Sequence, residues 1–589
     1  MKRLLALLLV AVMALGIVAC AKAPATTTTS GKDTNNAAPV DNKDSKDTTA
    51  APDTTGGDEV PYLGEVEILN GAGASAGLCV GWMPDYIRRE IGVDMIGLPG
   101  GNDQVATGLA AGVLPDITII KKTDDLDAAI QGGMILDLET VKDKLPNVFE
   151  NYWDANRGMV NYLKAVKSAG TGKLYGLARM YNAVPVPADD VGGIFLRYDV
   201  YGQVGYPEIK NYDDLLDCLA AMQAAYPTTP DGKKVYAISY FNDWDNGTTR
   251  AYNYVWRSRG YWGRGIWTVD MKGYDGSIES MKLVKQMEKG SDYYDFIKFM
   301  FKANQAGLVD PNTLSQTPDD SEAKVKSGEV LLQWDAWGTD YDMEQQNQGI
   351  GYCRVPIGEY FANDMDISYG SDTVVTISSN CKNLEAACAL VNLMYDPAYV
   401  LSYMNGPRYQ VWDYDENGDP YFVEGGYEAM NNLDFTERGC IVMLTYHFCG
   451  LVPGCSDGVT FDFSSWPSYD DMLADGTIVE TKLMQDWKEH TSNGHRLLTD
   501  YFKDNDKLIL IPSIASRSKS TDEQMVEDRL NQRVTTGSWA CMYAADEATF
   551  EAEWDSMYND IVSLGYDDFC EQQFDYLMDQ VLEFRQYID

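Results

Sequence analysis

Apolar and polar positions change their spacing along this chain and divide it into regions. Leu4–Val18 is an apolar run behind Lys2 and Arg3, too short for a good membrane-spanning helix and built like a secretory signal peptide. Residues 21–61 hold almost nothing to bury; Thr, Asp, Asn, Lys, Ala and Pro dominate, which predicts a disordered tether. Its root-mean-square reach would be about 35 Å. Periodicity begins at residue 62. "GEVEILNGAG" (Gly64–Gly73) alternates and then meets glycines, the pattern of a strand and a loop. "MPDYIRREIGVDMIGLPG" predicts a helix ending near Gly92, then a second strand. "DQVATGLAAGVLPDITII" predicts a short helix, a turn over Gly112–Pro115 and a buried strand Ile117–Ile120. Strands and helices in alternation imply a parallel sheet with crossover helices, and so an α/β class.

Later segments repeat these signals. In "NYDDLLDCLAAMQAAYP", Asn211 can cap a helix, Asp213 and Asp214 suit its first turn, and Leu215, Leu216, Leu219 and Met222 share a face. In "NLEAACALVNLMYDP", Asn383 caps and Pro397 is expected to end the helix. In "DEATFEAEWDSMYNDIVSLGY", Phe550, Trp554, Met557, Ile561 and Leu564 recur at helical spacing as a core stripe, with Gly565 at the C-terminal end. "GEVLLQWDAWGTD" predicts a turn at Gly328-Glu329 and a strand over Val330–Gln333. If the chain stays extended beyond it, Trp334 and Trp337 face opposite ways, one inward and one outward.

One stretch carries a metal-binding pattern. "DYDENGDPYFVE", Asp413–Glu424, matches a calcium-binding EF-hand loop: Asp413, Asp415 and Asn417 at alternate positions, Gly418 at the sharp turn, Glu424 closing. Such a loop needs a helix on each side, whereas "NGPRYQVWDYD" upstream alternates like a strand. Pro420 also removes a backbone N–H that paired EF-hand loops use, and Asn417-Gly418 is a strong hairpin turn. A structural β-hairpin is therefore favoured over calcium, and no cofactor is expected.

Composition narrows the function classes. The folded part exceeds 500 of the 589 residues, with 45% hydrophobic content overall, enough for more than one domain. A net charge of −42 excludes nucleic acid as a natural partner, because phosphates would be repelled. No further run reaches membrane-spanning length. Ten cysteines follow Cys20 without a CxxC pair. Cys440, His447, Cys449 and Cys455 are the densest group, but their gaps match no common zinc finger, so buried thiols with a disulfide or two are expected. His490 and His495, five apart, would point to different sides of a helix and make a poor metal pair.

The residues "IVAC", Ile17–Cys20, resemble the lipobox of bacterial lipoproteins, which implies cleavage before Cys20 and lipid on that residue. The body resembles a family. "AAGVLPDITII", "GGMILDLE" (Gly132–Glu139), "GKLYGLAR" (Gly172–Arg179), "GIFLRYDVYGQVGYPEIKNYDDLLDCLAAM", "AGLVDP", "KSGEVLLQWDAWG" and "TISSNCKNLEAACALVNLMYDP" are similar, in order, to segments of the extracellular solute-binding proteins of ABC importers. The likeness covers nearly all of residues 62–589 and is nearest the larger lipoprotein branch of the family, near its maltodextrin- and alginate-binding proteins. It implies a two-lobed, periplasmic-binding-protein-like type II α/β fold with a ligand cleft between lobes. Residues 62–183 and 357–404 would form the first lobe, and 184–356 and 405–589 the second. The family's oxygen-rich calcium loop after the helix ending near Tyr226 is reduced here to Asp231 and Gly232 followed by two lysines.

The resemblance implies an oligosaccharide ligand, the transmembrane subunits of an ABC permease as partner, a monomer, and a place on the outer face of the bacterial cytoplasmic membrane through the lipid on Cys20. Positions in loops after strands are the candidate ligand contacts: Asn70, Lys121, Asp124, Tyr181 and Asn182 at the first crossing between lobes, Trp244 and Asp245 in "FNDWDNG", and Asp335 and Trp337 in "QWDAWG". Trp337 matches the place where maltodextrin-binding relatives stack a sugar. Each taken alone has a structural reading too, as core aromatic, turn carboxylate or surface lysine. Two rival functions remain at this stage. A secreted glycoside hydrolase would need paired carboxylates about 5–10 Å apart; no GxSxG, HExxH or P-loop motif is present. A surface glycan sensor would pass its ligand to a signalling receptor.

Overall fold

The local signals become elements in chain order. In this computed structural model, β1 (Gly64–Asn70), α1 (Trp82–Ile91), β2 (Val93–Gly97), α2 (Asn102–Ala111), β3 (Ile117–Ile120), α3 (Thr123–Gln131), α4 (Trp153–Val166) and β4 (Leu177–Ala178) come first. The chain then enters a second region with β5 (Gly192–Arg197), α5 (Tyr212–Ala225), β6 (Tyr236–Ile238), α6 (Asp292–Gln305), β7 (Val330–Asp335) and β8 (Tyr352–Val355). It returns to the first region with β9 (Val374–Ile377), α7 (Leu384–Leu393) and α8 (Pro397–Asn405), followed by a hairpin of β10 (Trp412–Tyr414) and β11 (Pro420–Phe422). Three C-terminal helices close the chain: α9 (Thr521–Met542), α10 (Glu547–Ser563) and α11 (Tyr566–Ile588). The structure describes residues 60–589 apart from 72–75, 152, 179–191, 244, 246, 264, 336–338, 340, 359, 365–372, 419, 434–471, 475, 477–478, 496, 513–518 and 589.

Two sheets organise this body. In the first, β1 pairs in parallel with β2 and β3, while β9 runs antiparallel between β3 and β4. In the second, the order is β8-β5-β7-β6, with β7 parallel to β6 and antiparallel to β5. Each sheet has its own core. Ile68, Ile117, Ile119 and Ile377 lie in one, and Leu196, Ile238, Leu332 and Trp334 in the other. Ile117 to Ile120 are buried at every position, as a strand covered on both faces requires.

The helices form where capping and periodicity place them. Asn211 accepts from the N–H groups of Asp213 and Asp214 at 2.9 and 3.0 Å and starts α5. Asn383 accepts from Ala386 N to start α7, and Gly92 takes the left-handed conformation that ends α1. Two expectations are corrected. Pro397 does not end α7, which stops at Leu393; it is the first residue of α8, where a missing N–H costs nothing and Asp396 caps the helix. On α10, Phe550, Trp554, Met557 and Ile561 are fully buried, but Leu564 is 39% exposed. The stripe ends there because the chain leaves the helix at Leu564 and turns through Gly565, φ +92°, into α11.

Trp334 is buried against Phe296 and Phe299, the inward member of its pair. Cys218, Cys353, Cys381, Cys388, Cys541 and Cys570 are free thiols, buried except for half-buried Cys381, and Cys79 is buried as well. The group of Cys440, His447, Cys449 and Cys455 lies outside the described residues. His490 stacks on Tyr206 at 4.1 Å, whereas His495 pairs with Asp504 at 3.3 Å.

Candidate ligand-binding site

Strand direction decides where a site can form. β1, β3 and β4 all end on one rim of the first sheet, where β9 begins, since Val374 lies opposite Ile120. β7 and β8 end on one rim of the second sheet, where β5 begins, since Asp335 lies opposite Gly192. The chain leaves β4 for β5, and later β8 for β9, so both passages run from rim to rim. Carboxyl ends of strands are where α/β sheets bind ligands.

On the first rim, β1 delivers Asn70, fully buried beside Ile119. Lys121 and Asp124 follow β3 and are exposed. Lys167 ties the end of α4 to this loop by donating to Thr123 Oγ1 at 2.8 Å. The Asn102 side-chain oxygen lies 3.2 Å from where a Cβ on Gly71 would stand. It is closed off from solvent and accepts no hydrogen bond among the described residues. It is a polar group held ready beside Asn70.

On the second rim, a register shift between Gln333 and Asp335 turns the end of β7. Asp335 is buried there. Tyr240, just beyond β6, is 2% exposed and its hydroxyl has no hydrogen-bond partner among the described residues. Burial first, and then the Asp335 charge, push that phenol well above its ordinary range. Asp245 stands in the same neighbourhood and also acts on Tyr240. Its two oxygens accept from Arg250 N at 2.7 Å and from Trp539 Nε1 at 2.6 Å. Burial pushes the Asp245 carboxyl up to about 6, against the pull of those two donors. The Arg250 guanidinium reaches the Tyr254 hydroxyl. The Tyr254 ring sits over Gly192, where a Cβ would come within 2.5 Å of it, so glycine leaves the ring its seat.

Of the residues expected at the site, the first rim therefore gathers Asn70, Lys121 and Asp124, and the second gathers Asp245 and Asp335. Tyr181, Asn182, Trp244, Trp337 and Cys20 lie outside the described residues. Asn102, Tyr240, Arg250, Tyr254 and Trp539 were missed. Arg250 follows Asp245 by five positions and had a local signal; Trp539 comes from α9, far along the chain, and had none.

The region 413–424 is a hairpin. Trp412 pairs with Phe422 and Tyr414 with Pro420. Asp413 is engaged by Arg408 Nε at 2.9 Å, and Asp415 accepts from Asn417 N at 2.8 Å across the turn. At residues 226–234, Thr229 bonds Asp231, and Lys233 pairs with Glu329 at 2.8 Å. Among the described residues no cluster of three His, Cys, Asp or Glu side chains is arranged to hold a metal.

The family model for bacterial extracellular solute-binding proteins matches residues 93–400, more than half of the chain. The chain belongs to this family. Its fold is that of the family's solved members. An ABC-transporter-associated solute-binding protein from Bifidobacterium longum infantis, described as HMO-binding, shares 16% identity at a TM-score of 0.55, over 89% of this chain and 100% of that one. The substrate-binding protein FusA of S. pneumoniae, solved with kestose, shares 15% identity at a TM-score of 0.54, over 88% and 99%. The alginate-binding protein AlgQ2, solved without calcium ion, shares 12% at 0.51, over 89% and 98%. No curated protein matches the chain. As a family member the chain is a two-lobed solute-binding protein.

Proposed function

We propose that this protein is a lipid-anchored receptor on the outer face of the bacterial cytoplasmic membrane. It captures an oligosaccharide between its lobes and delivers it to the transmembrane subunits of an ABC importer. The observation that supports the reading is the pair of strand-end rims, one in each sheet, between which the chain passages run. One holds Asn70, Asn102 and Lys121, the other Asp245, Asp335, Tyr240 and Arg250: carboxylates, amides, a phenol and a guanidinium suited to sugar hydroxyls. Trp244 and Trp337, the aromatic candidates by sequence, are expected to supply flat faces for the C–H surface of a sugar ring. Family membership and folds shared with proteins described as HMO-, kestose- and alginate-associated support a carbohydrate ligand. "IVAC" and the polar tether of residues 21–61 support the anchor at Cys20.

In this reading the protein performs no covalent chemistry and acts as a monomer. A thermal-shift screen over neutral and acidic oligosaccharides tests it, because a ligand at 100 times its Kd adds about 2.7 kcal/mol of stability. A stabilising sugar recovered unshortened after incubation is the expected outcome. Shortened chains would make the protein a hydrolase, and no stabilisation by any sugar would remove the carbohydrate reading.

A further inference from the structure

The C-terminal helix α11 belongs to both cores. Tyr566, Phe569, Cys570, Leu577 and Val581 are buried in the second core. Phe584, 1% exposed, is buried in the first, and Tyr587 packs against it. Both rings meet Tyr162 of α4 edge-on, at centroid distances of 5.4 and 5.8 Å. The residue after Phe584 turns back to the second lobe: Arg585 Nη2 donates to Tyr274 OH at 2.7 Å and to Gly276 O at 2.8 Å. Near the other end, Lys285 holds Asp567 and Glu571 at 2.9 Å each. A single helix of 23 residues, about 34 Å long, is thus gripped by the second lobe along its length and by the first lobe over its last turns.

We infer that α11 is the mechanical pivot of lobe movement, a link between the lobes additional to the chain passages, with its hinge point at Val581–Arg585. A continuous helix resists stretching and sharp bending, since kinking it would break its i to i−4 hydrogen bonds. Phe584 is enclosed, so withdrawing it would open a cavity in the first core. The lobes can therefore roll and twist about the end of α11, but they cannot draw apart there. The inference rests on the two-lobed receptor reading for the meaning of that movement.

The test uses the ligand-free full chain with spin labels on ketone-bearing residues at position 113 on the first lobe and position 343 on the second, both exposed. The distance distribution between the labels is measured in the otherwise unaltered chain and in Phe584→Ala and Tyr587→Ala. Freeing the helix end should broaden the distribution, roughly doubling its width for Phe584→Ala, with a smaller effect for half-buried Tyr587. Should Phe584→Ala fail to fold, Tyr587→Ala and Arg585→Ala, both less enclosed than Phe584, decide the matter alone. A width unchanged in every folded variant overturns the pivot. Because no ligand is present, a negative sugar screen defeats the receptor reading without altering this result.

Discussion

Asp245 reports on its site through pH. Its carboxyl is raised to about 6 from an ordinary value of 3.8, with burial as the largest cause. The unfolded chain therefore releases this proton first. Well below pH 3.8 the group is protonated in both states and has no effect on stability. Between about pH 4 and 6 the unfolded state ionises while the folded state still holds its proton, so stability falls as pH rises. Above pH 6 the full cost is present and constant. At about 1.4 kcal/mol per pH unit, the interval between the two values amounts to ~3 kcal/mol. Asp245→Asn cannot ionise and lacks this cost, but it has one acceptor oxygen for two donors. Either Trp539 Nε1 or Arg250 N then loses its partner, a pH-independent loss of about 1–3 kcal/mol. The variant should thus be less stable than wild type at pH 4. Its stability relative to wild type should then improve by ~3 kcal/mol on going to pH 7. Urea unfolding of both proteins at half-unit pH steps measures the difference, in which most other titrating groups cancel. A difference flat to within about 0.5 kcal/mol would place the carboxyl in the ordinary range and remove the buried, two-donor account of Asp245.

Four further outcomes are expected. Trp554→Ala, which deletes a fully buried ring whose Nε1 donates to Met287 O at 3.2 Å, should lower stability by about 3–5 kcal/mol in denaturant titration. Trp337→Ala should weaken binding of a sugar found in the screen by at least about 2 kcal/mol, roughly thirtyfold, in calorimetry, while the ligand-free melting temperature barely moves; the reverse pattern would assign Trp337 to the core. Asp413→Ala should cost no more than about 1 kcal/mol, because its partner Arg408 is an intermediate-burial surface residue, and chelator should leave the melting of wild type and variant unchanged. Cys20→Ala should release the protein from the membrane fraction or leave an uncut precursor, as read by fractionation and mass.

Much of the architecture was legible because its causes lie within a few residues. Asn211 and Asn383 cap helices through bonds to backbone groups two or three positions ahead. Asn417-Gly418 turns a hairpin, with Gly418 at φ +90°. The wholly β-branched run of β3 foretold its burial. Pro397 shows the limit of such signals: proline marks a boundary between helices, but it suits the start of the second as well as the end of the first, and only the backbone path chooses.

What the sequence alone determined was that several segments, among them β1, α1, β2, α2, β3, α5, α7 and α10, are strands and helices with apolar faces, while the two α/β lobes were what its family resemblance implied. Tertiary structure alone decided which of those faces meet. Nothing near Asp245 announces that its second hydrogen-bond donor is Trp539, and nothing in α11 says that Phe584 enters one core while Val581, one turn earlier, lies in the other. A cap or a turn is settled by dihedral angles and bonds within one stretch of chain, and those follow from the residues in it. A contact across hundreds of residues is settled by the packing of whole lobes, where many apolar faces compete and local periodicity is the same whichever one wins.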